Sequence, residues 1–346
     1  MKCIYPLAIL ALATTFSGCS DDKDHPYVKG DTDSAITFSN PFINNSVKQR
    51  AASATTKENL EGFRVWGFVK DPSSVVFDGA TVERNGDSWK INETEYWYLG
   101  QPYWFTAIST GEIKTQEFYV FTPLQSGTQP SGDAGYLGGG SIFYNNSNAE
   151  GEKDLIYAFS NKVQYDTPES ITQVPLTFNH LLSQVTFEFS NKMTQRTTLD
   201  IEGLTLLGAA NSGNIDLSAG LESAQWVPSN EKFSIADIST EKFPYNKATI
   251  SEPSYIIPTD NSHEYQIQFT AVVYNGNNEM ARYPHLITLP KTTFLKGNSY
   301  KFVATLTPQN INPAQQLKPI EFTVVDVKDW QPNEGIIVPG PDSPIE

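Results

Sequence analysis

The sequence predicts an all-β chain folded as two successive sandwiches, and three observations predict it. Apolar and polar residues alternate strictly over many short runs, the mark of strands with one buried face. The 23 Gly and 22 Pro are scattered between those runs as turn punctuation. No window of a dozen residues carries a clean helical period, and 56–60 and 180–183 are the most that read as helical. A length of 346 residues is that of two ordinary domains.

The strands follow in order. Runs at 63–70, 103–109, 117–122, 155–160 and 174–178 are rich in aromatic and β-branched residues. Val185, Phe187 and Phe189 then alternate with Thr186 and Glu188, and 199–207 continues the series. Tyr265, Ile267, Phe269, Ala271 and Val273 alternate with Gln266, Gln268 and Thr270, and Tyr300, Phe302, Ala304 and Leu306 repeat the pattern. At the end Ile320, Phe322 and Val324 share a face before Val325 and Val327 take it over, which predicts a bulge.

Asn85-Gly86-Asp87 and Asn211-Ser212-Gly213-Asn214 read as turns, and Tyr274-Asn275-Gly276-Asn277-Asn278 as a hairpin between apolar runs. The stretch 125–151, with Gly138-Gly139-Gly140, reads as a long surface loop. The polar connection 190–196 places the boundary, giving an N-terminal sandwich over 36–192 and a C-terminal one over 193–346.

Composition excludes several functions. Lys+Arg 24 against Asp+Glu 39 gives a net charge of -15, the wrong sign for a nucleic-acid partner. Twenty Phe, 16 Tyr and 6 Trp supply a packed core and argue against disorder throughout. Cys3 and Cys19 are the only cysteines, so beyond residue 19 there is no disulfide, thiolate metal site or Cys nucleophile.

Lys2 followed by the apolar run 4–16 is too short for a bilayer core, which needs roughly 20 residues, and reads as a signal peptide over 1–18. Phe16-Ser17-Gly18-Cys19 resembles the lipobox of bacterial lipoproteins, in which the Cys becomes the first mature residue and carries acyl chains. Ser20-Asp21-Asp22-Lys23-Asp24 is similar to the acidic tether that directs Bacteroidetes lipoproteins to the outer face of the outer membrane, and 19–35 reads as a flexible tether.

Several segments, in this order, carry a wider likeness: Ala35-Ile36-Thr37-Phe38-Ser39, Phe63-Arg64-Val65-Trp66-Gly67-Phe68, Tyr96-Trp97-Tyr98, Tyr103-Trp104-Phe105-Thr106-Ala107 and Asp154-Leu155-Ile156-Tyr157-Ala158. Phe178-Asn179-His180-Leu181-Leu182-Ser183, Phe294-Leu295-Lys296-Gly297-Asn298-Ser299-Tyr300 and Val327-Lys328-Asp329-Trp330-Gln331-Pro332 complete it. Together they resemble the fimbrillin (Mfa-like) family of Bacteroidetes pilus subunits.

That resemblance implies two transthyretin-like β-sandwich domains and a part in building a surface fibre. In the family an Arg-directed protease cuts after the first strand, and a neighbour's C-terminal strand fills the vacated groove by β-augmentation. Carried over, the first strand is 36–43 with Ile36, Phe38 and Phe42 alternating, and the processing loop is 44–57 with the cut between Arg50 and Ala51. The tail 331–346 offers Ile336 and Val338 as a donor strand, closed off by Pro339, Pro341 and Pro344. The implied partners are other fimbrial subunits, outer-membrane lipid through Cys19 and the maturation protease.

No catalytic motif is found and no cofactor or metal is expected. His180 beside Phe178 reads as a core or turn histidine holding a backbone carbonyl, and His25, His263 and His285 lie in unrelated surroundings. The aromatic residues Trp89, Tyr96, Trp97, Tyr98, Tyr103 and Trp104 admit two readings. They are core, with Tyr103 and Phe105 on one strand face, or they stack on sugars. The second reading makes the chain a carbohydrate-binding or adhesive tip or anchor lipoprotein that does not polymerise and meets a host or bacterial surface ligand.

Overall fold

The computed structural model describes residues 34–43, 55–70, 74–113, 118–123, 139–146, 153–229, 232–233, 242–259, 264–315 and 318–329. Among them there is no α-helix, and twenty-one strands carry the fold. The all-β expectation holds.

Nine strands come first: β1 (Phe42–Ile43), β2 (Gly62–Val69), β3 (Ser74–Asn85), β4 (Ser88–Ile91), β5 (Tyr103–Ser109), β6 (Tyr119–Pro123), β7 (Gly140–Asn145), β8 (Ile156–Val163) and β9 (Thr177–His180). Seven of them form one sheet in the order β1-β9-β8-β5-β2-β3-β4. It is antiparallel except at β1, which runs parallel to β9 with Ile43 opposite Phe178. The expected turn at Asn85 closes the β3–β4 hairpin, Asn85 facing Ser88, with Gly86 at φ 64°, a conformation that costs glycine little.

β5 is buried throughout, over Tyr103-Trp104-Phe105-Thr106-Ala107-Ile108-Ser109. A central strand covered on both faces needs apolar residues on both. Tyr103, Phe105 and Ala107 join Phe63, Val65 and Phe178 in one core. Ile108 joins Trp66 and Tyr157 in another.

Twelve strands follow: β10 (Ser183–Asn191), β11 (Thr197–Leu207), β12 (Ser212–Asp216), β13 (Trp226–Pro228), β14 (Lys232–Phe233), β15 (Phe243–Pro244), β16 (Ala248–Ile250), β17 (Ser254–Ile256), β18 (Gln266–Asn275), β19 (Asn278–Thr288), β20 (Asn298–Leu306) and β21 (Phe322–Asp329). One sheet runs β16-β10-β20-β21 and a second β14-β11-β18-β19. They close over a core that includes Phe187, Phe189, Ile201, Ile267, Phe269 and Phe302. The Phe189 and Phe269 rings meet edge-on at 4.9 Å across it. The expected hairpin joins β18 to β19 with Asn275 opposite Asn278. The expected bulge is present too: Lys301 faces Asp326 and Phe302 faces Val324, so Val325 has no opposite residue.

The boundary expected between 192 and 193 does not follow the sheets. β10 pairs with β16, β17 and β20, all later in the chain, so 192–196 links the two sheets of one sandwich. β12 and β13 go the other way and complete a four-stranded sheet, β13-β12-β7-β6, with strands from the first half. Ile142, Tyr144, Ile215 and Trp226 of that sheet pack with Trp66, Ile108 and Tyr157. The Trp226 indole N–H, donating to the Leu181 carbonyl at 2.7 Å, fixes the returning hairpin.

Residues 211–214, expected to turn, instead enter β12. Gly213 serves close approach there, since a Cβ would lie 2.8 Å from the Val227 carbonyl oxygen. The 180–183 segment is not helical: His180 ends β9 and Ser183 starts β10. At 56–60 a single turn is closed by the Leu60 N–H on the Thr56 carbonyl, 2.9 Å.

Candidate functional site

The segment 34–43 lies between two stretches of main chain. Ala35 bridges antiparallel to Tyr96, and Phe38 bridges parallel to Val174. On one side the Ile36 N–H donates to the Glu95 carbonyl at 2.8 Å and the Trp97 N–H to the Ser34 carbonyl at 3.1 Å. On the other the Val174 N–H donates to Thr37 at 2.8 Å, the Ser39 N–H to Val174 at 3.0 Å and the Phe42 N–H to Leu176 at 3.0 Å. The segment is thus extended and bonded to one neighbour through 34–36 and to the other through 37–42, by isolated bridges rather than the continuous strand expected over 36–43.

The side chains complete the insertion. Ile36 and Phe38 are buried. Phe38 sits in an aromatic nest, edge-on to Phe63 at 5.9 Å and to Phe105 at 5.6 Å, and tilted against Phe77 at 6.3 Å. A phenyl ring so placed contributes about 1.5–3 kcal/mol through burial, and each ring pair somewhat more.

The expected alternation fails at its last member. Phe42 is 60% exposed, and Ile43, at 4%, occupies the core in its place. The parity of the strand changes between Phe38 and the buried Pro41. Proline has no N–H to give to a ladder, and regular pairing resumes only with β1 on β9. Asn40, exposed in this stretch, accepts a hydrogen bond from the Trp89 indole N–H at 3.0 Å.

The remaining expected site residues, Cys19, Arg50, Ala51, Ile336 and Val338, lie outside the described residues, as do 1–33, the loop residues 44–54 and the tail 331–346. Both flanks of the loop are described. Thr55 donates its N–H to Asp154 Oδ2 at 3.1 Å, and His180 Nδ1 meets the same oxygen at 2.8 Å. His180 therefore holds a buried carboxylate rather than the backbone carbonyl expected for it. The walls at Tyr96 and Val174 had a weak sequence signal, each at the margin of an apolar run. The contacts of Trp89 and Asp154 leave no such signal, because their partners lie 49 and 99 residues away.

Half of the aromatic group is core, and Trp89, Tyr96 and Tyr98 stay half-buried. Trp97, Tyr103 and Trp104 are buried. Trp97 packs edge-on to Tyr103 at 4.7 Å and to Tyr165 at 4.9 Å, and the Tyr98 N–H donates to the Tyr103 hydroxyl at 2.7 Å. Among the described residues no group of three or more His, Cys, Asp or Glu is placed to hold a metal ion, and no helix is long and apolar enough to cross a membrane.

The arrangement is that of a β-sandwich protein with a separately held first strand. The sequence matches the fimbrillin-like family over residues 50–330, and the chain belongs to that family. It is similar in fold to a fimbrial protein from Bacteroides vulgatus, at 15% identity and a TM-score of 0.55, over 86% of this chain and 99% of that one. A candidate cell adhesion protein from Bacteroides uniformis aligns at 13% identity and a TM-score of 0.46, over 87% of this chain and 100% of the other. No curated protein matches the sequence closely enough to serve as a relative.

Proposed function

We propose that the protein is a structural subunit of a cell-surface fimbria, exported as a lipoprotein through Cys19 and displayed on the outer membrane. An Arg-directed protease cuts between Arg50 and Ala51, the first strand departs, and a neighbour's tail strand carrying Ile336 and Val338 takes its place. Membership of the fimbrillin-like family supports the fimbrial role and the surface location.

One observation carries the strand exchange: residues 34–43 are held by main-chain bonds on both sides and by buried Ile36 and Phe38. Another extended segment with alternating apolar side chains can reproduce that set of contacts, which is what β-augmentation requires. The alternative, a sugar-binding or adhesive lipoprotein that does not polymerise, rested on exposed aromatic faces. The burial of Trp97, Tyr103 and Trp104 weakens that support, which is left to the half-buried Trp89, Tyr96 and Tyr98.

Limited digestion with an Arg-specific protease, N-terminal sequencing and an unboiled denaturing gel test the proposal. It expects a new terminus at Ala51 and high-mass ladders. An uncut chain, or a cut chain that stays monomeric, sinks it.

A further inference from the structure

The two flanks of residues 44–54 are held in unlike ways. Upstream, Ile43 is joined to β9 as part of a two-residue edge strand. Downstream, Thr55 is tied to a buried carboxylate. Asp154 Oδ2 accepts the Thr55 N–H at 3.1 Å and meets His180 Nδ1 at 2.8 Å, while Oδ1 accepts the Leu155 N–H at 2.8 Å. The Asp154 and His180 side chains are both 0% exposed. Water does not replace such bonds in the interior, so losing one costs about 1–3 kcal/mol.

The two flanks also share one end of β9. Ile43 faces Phe178, and His180 lies two positions further along, opposite Ile156. Beyond Thr55 the chain is secured again. Arg84 donates to the carbonyls of Lys57 and Glu58, Leu60 is buried, and the Glu61 N–H donates to Gly111 at 2.8 Å.

We infer that Asp154, held by His180, is a positioning residue for maturation, an inference that rests on the strand-release reading above. It pins Thr55, so that a cut within 44–54 frees the upstream piece and leaves the downstream chain fixed. For a cut after Arg50 the new N-terminal piece ahead of Thr55 is Ala51-Ala52-Ser53-Ala54. Extended, that end reaches roughly 14 Å, whereas the departing 34–43 spans about 33 Å. It also carries nothing the size of Phe38. The clamp keeps the chain's own new terminus from refilling the slot and reserves the slot for another strand.

The test uses the full chain with 47–53 replaced by a site-specific protease sequence of equal length, so that it does not depend on Arg50 being a substrate. Two variants are compared with this parent. Asp154→Ala removes the acceptor, and Thr55→Pro removes the donor N–H, leaving the Asp154–His180 pair in place if the first variant fails to fold. Amide exchange over 56–61 is measured before the cut and after removal of the freed piece.

The clamp predicts no cut-dependent change in the parent and about tenfold or greater acceleration after the cut in the variants, the loss expected when a buried hydrogen bond is left unmade. Equal acceleration in the parent, or variants that match it, overturns the inference. Adding a peptide of residues 331–346 to the cut parent separates the two readings. If the peptide does not bind while 56–61 stays protected, the fimbrial reading fails and the clamp stands.

Discussion

The Trp89 indole N–H donates to the side-chain oxygen of Asn40 at 3.0 Å, joining the edge of the β-sandwich body to the segment proposed to leave it. The same ring tilts against Phe63 at 5.4 Å and carries the Arg84 guanidinium at 5.3 Å. Arg84 in turn donates to the carbonyls of Lys57 and Glu58, so one tryptophan stands between the departing segment and the retained flank.

Trp89 is therefore a built-in reporter of the slot. Removing residues 34–43 strips it of Asn40 and opens its ring edge to water. The difference in emission between the native chain and Trp89→Phe is expected to shift to longer wavelength when the first strand is released. An unchanged difference spectrum would mean that the strand has not left.

Phe38 and Phe42 separate core from surface on the first strand. Phe38→Ala is expected to destabilise the uncut chain by about 3–5 kcal/mol in denaturant unfolding, and Phe42→Ala by no more than about 0.5 kcal/mol. After cleavage and removal of the strand, both variants are expected to unfold with the native cut product, because neither residue remains in it.

β12 makes a further demand. Gly213→Ala places a methyl 2.8 Å from the Val227 carbonyl oxygen, a backbone atom that moves only with β13. The expected loss is about 1–3 kcal/mol, read as a lowered Tm. A neutral result would show that β13 is free to shift.

Stability is expected to depend on pH through His285. This imidazole is buried and stacks on Phe269 at 5.0 Å. Burial holds its pKa below the usual 6.5, and a hydrogen bond to the Ile311 backbone offsets this only in part. Below 6.5 the unfolded chain takes up the proton before the folded chain does. The contribution is thus complete above 6.5 and declines as pH falls toward the lowered folded value. Denaturant midpoints between pH 7.5 and 5 are expected to fall less steeply for His285→Gln.

How far the fold is legible in the sequence depends on how local its determinants are. The β18–β19 hairpin and the bulge at Val325 are written in adjacent residues, and both appear where the pattern puts them. β12 looks like a turn in the sequence because glycine and asparagine serve turns far more often than close strand packing, and only the position of Val227 distinguishes the two uses. The polar run 190–196 reads as a boundary because composition does not say that β10 will find β20 over 100 residues later. At the candidate site, Ile36 and Phe38 were visible from their spacing. The change of parity before Ile43 was hidden behind Pro41, and the Trp89 and Asp154 contacts depend on tertiary approach alone.

In the proposed exchange a neighbour's tail occupies the slot beside Val174. A chain beginning at residue 20 contains no cysteine, so introduced thiols report only on each other. Val174→Cys is combined in turn with Ile336→Cys, Ile337→Cys and Val338→Cys, and each protein is oxidised before and after cleavage at Arg50. Reductant-sensitive covalent ladders are expected in at least one register, and only after cleavage. Disulfides confined to single chains, or no disulfide in any register after cleavage, would contradict the exchange.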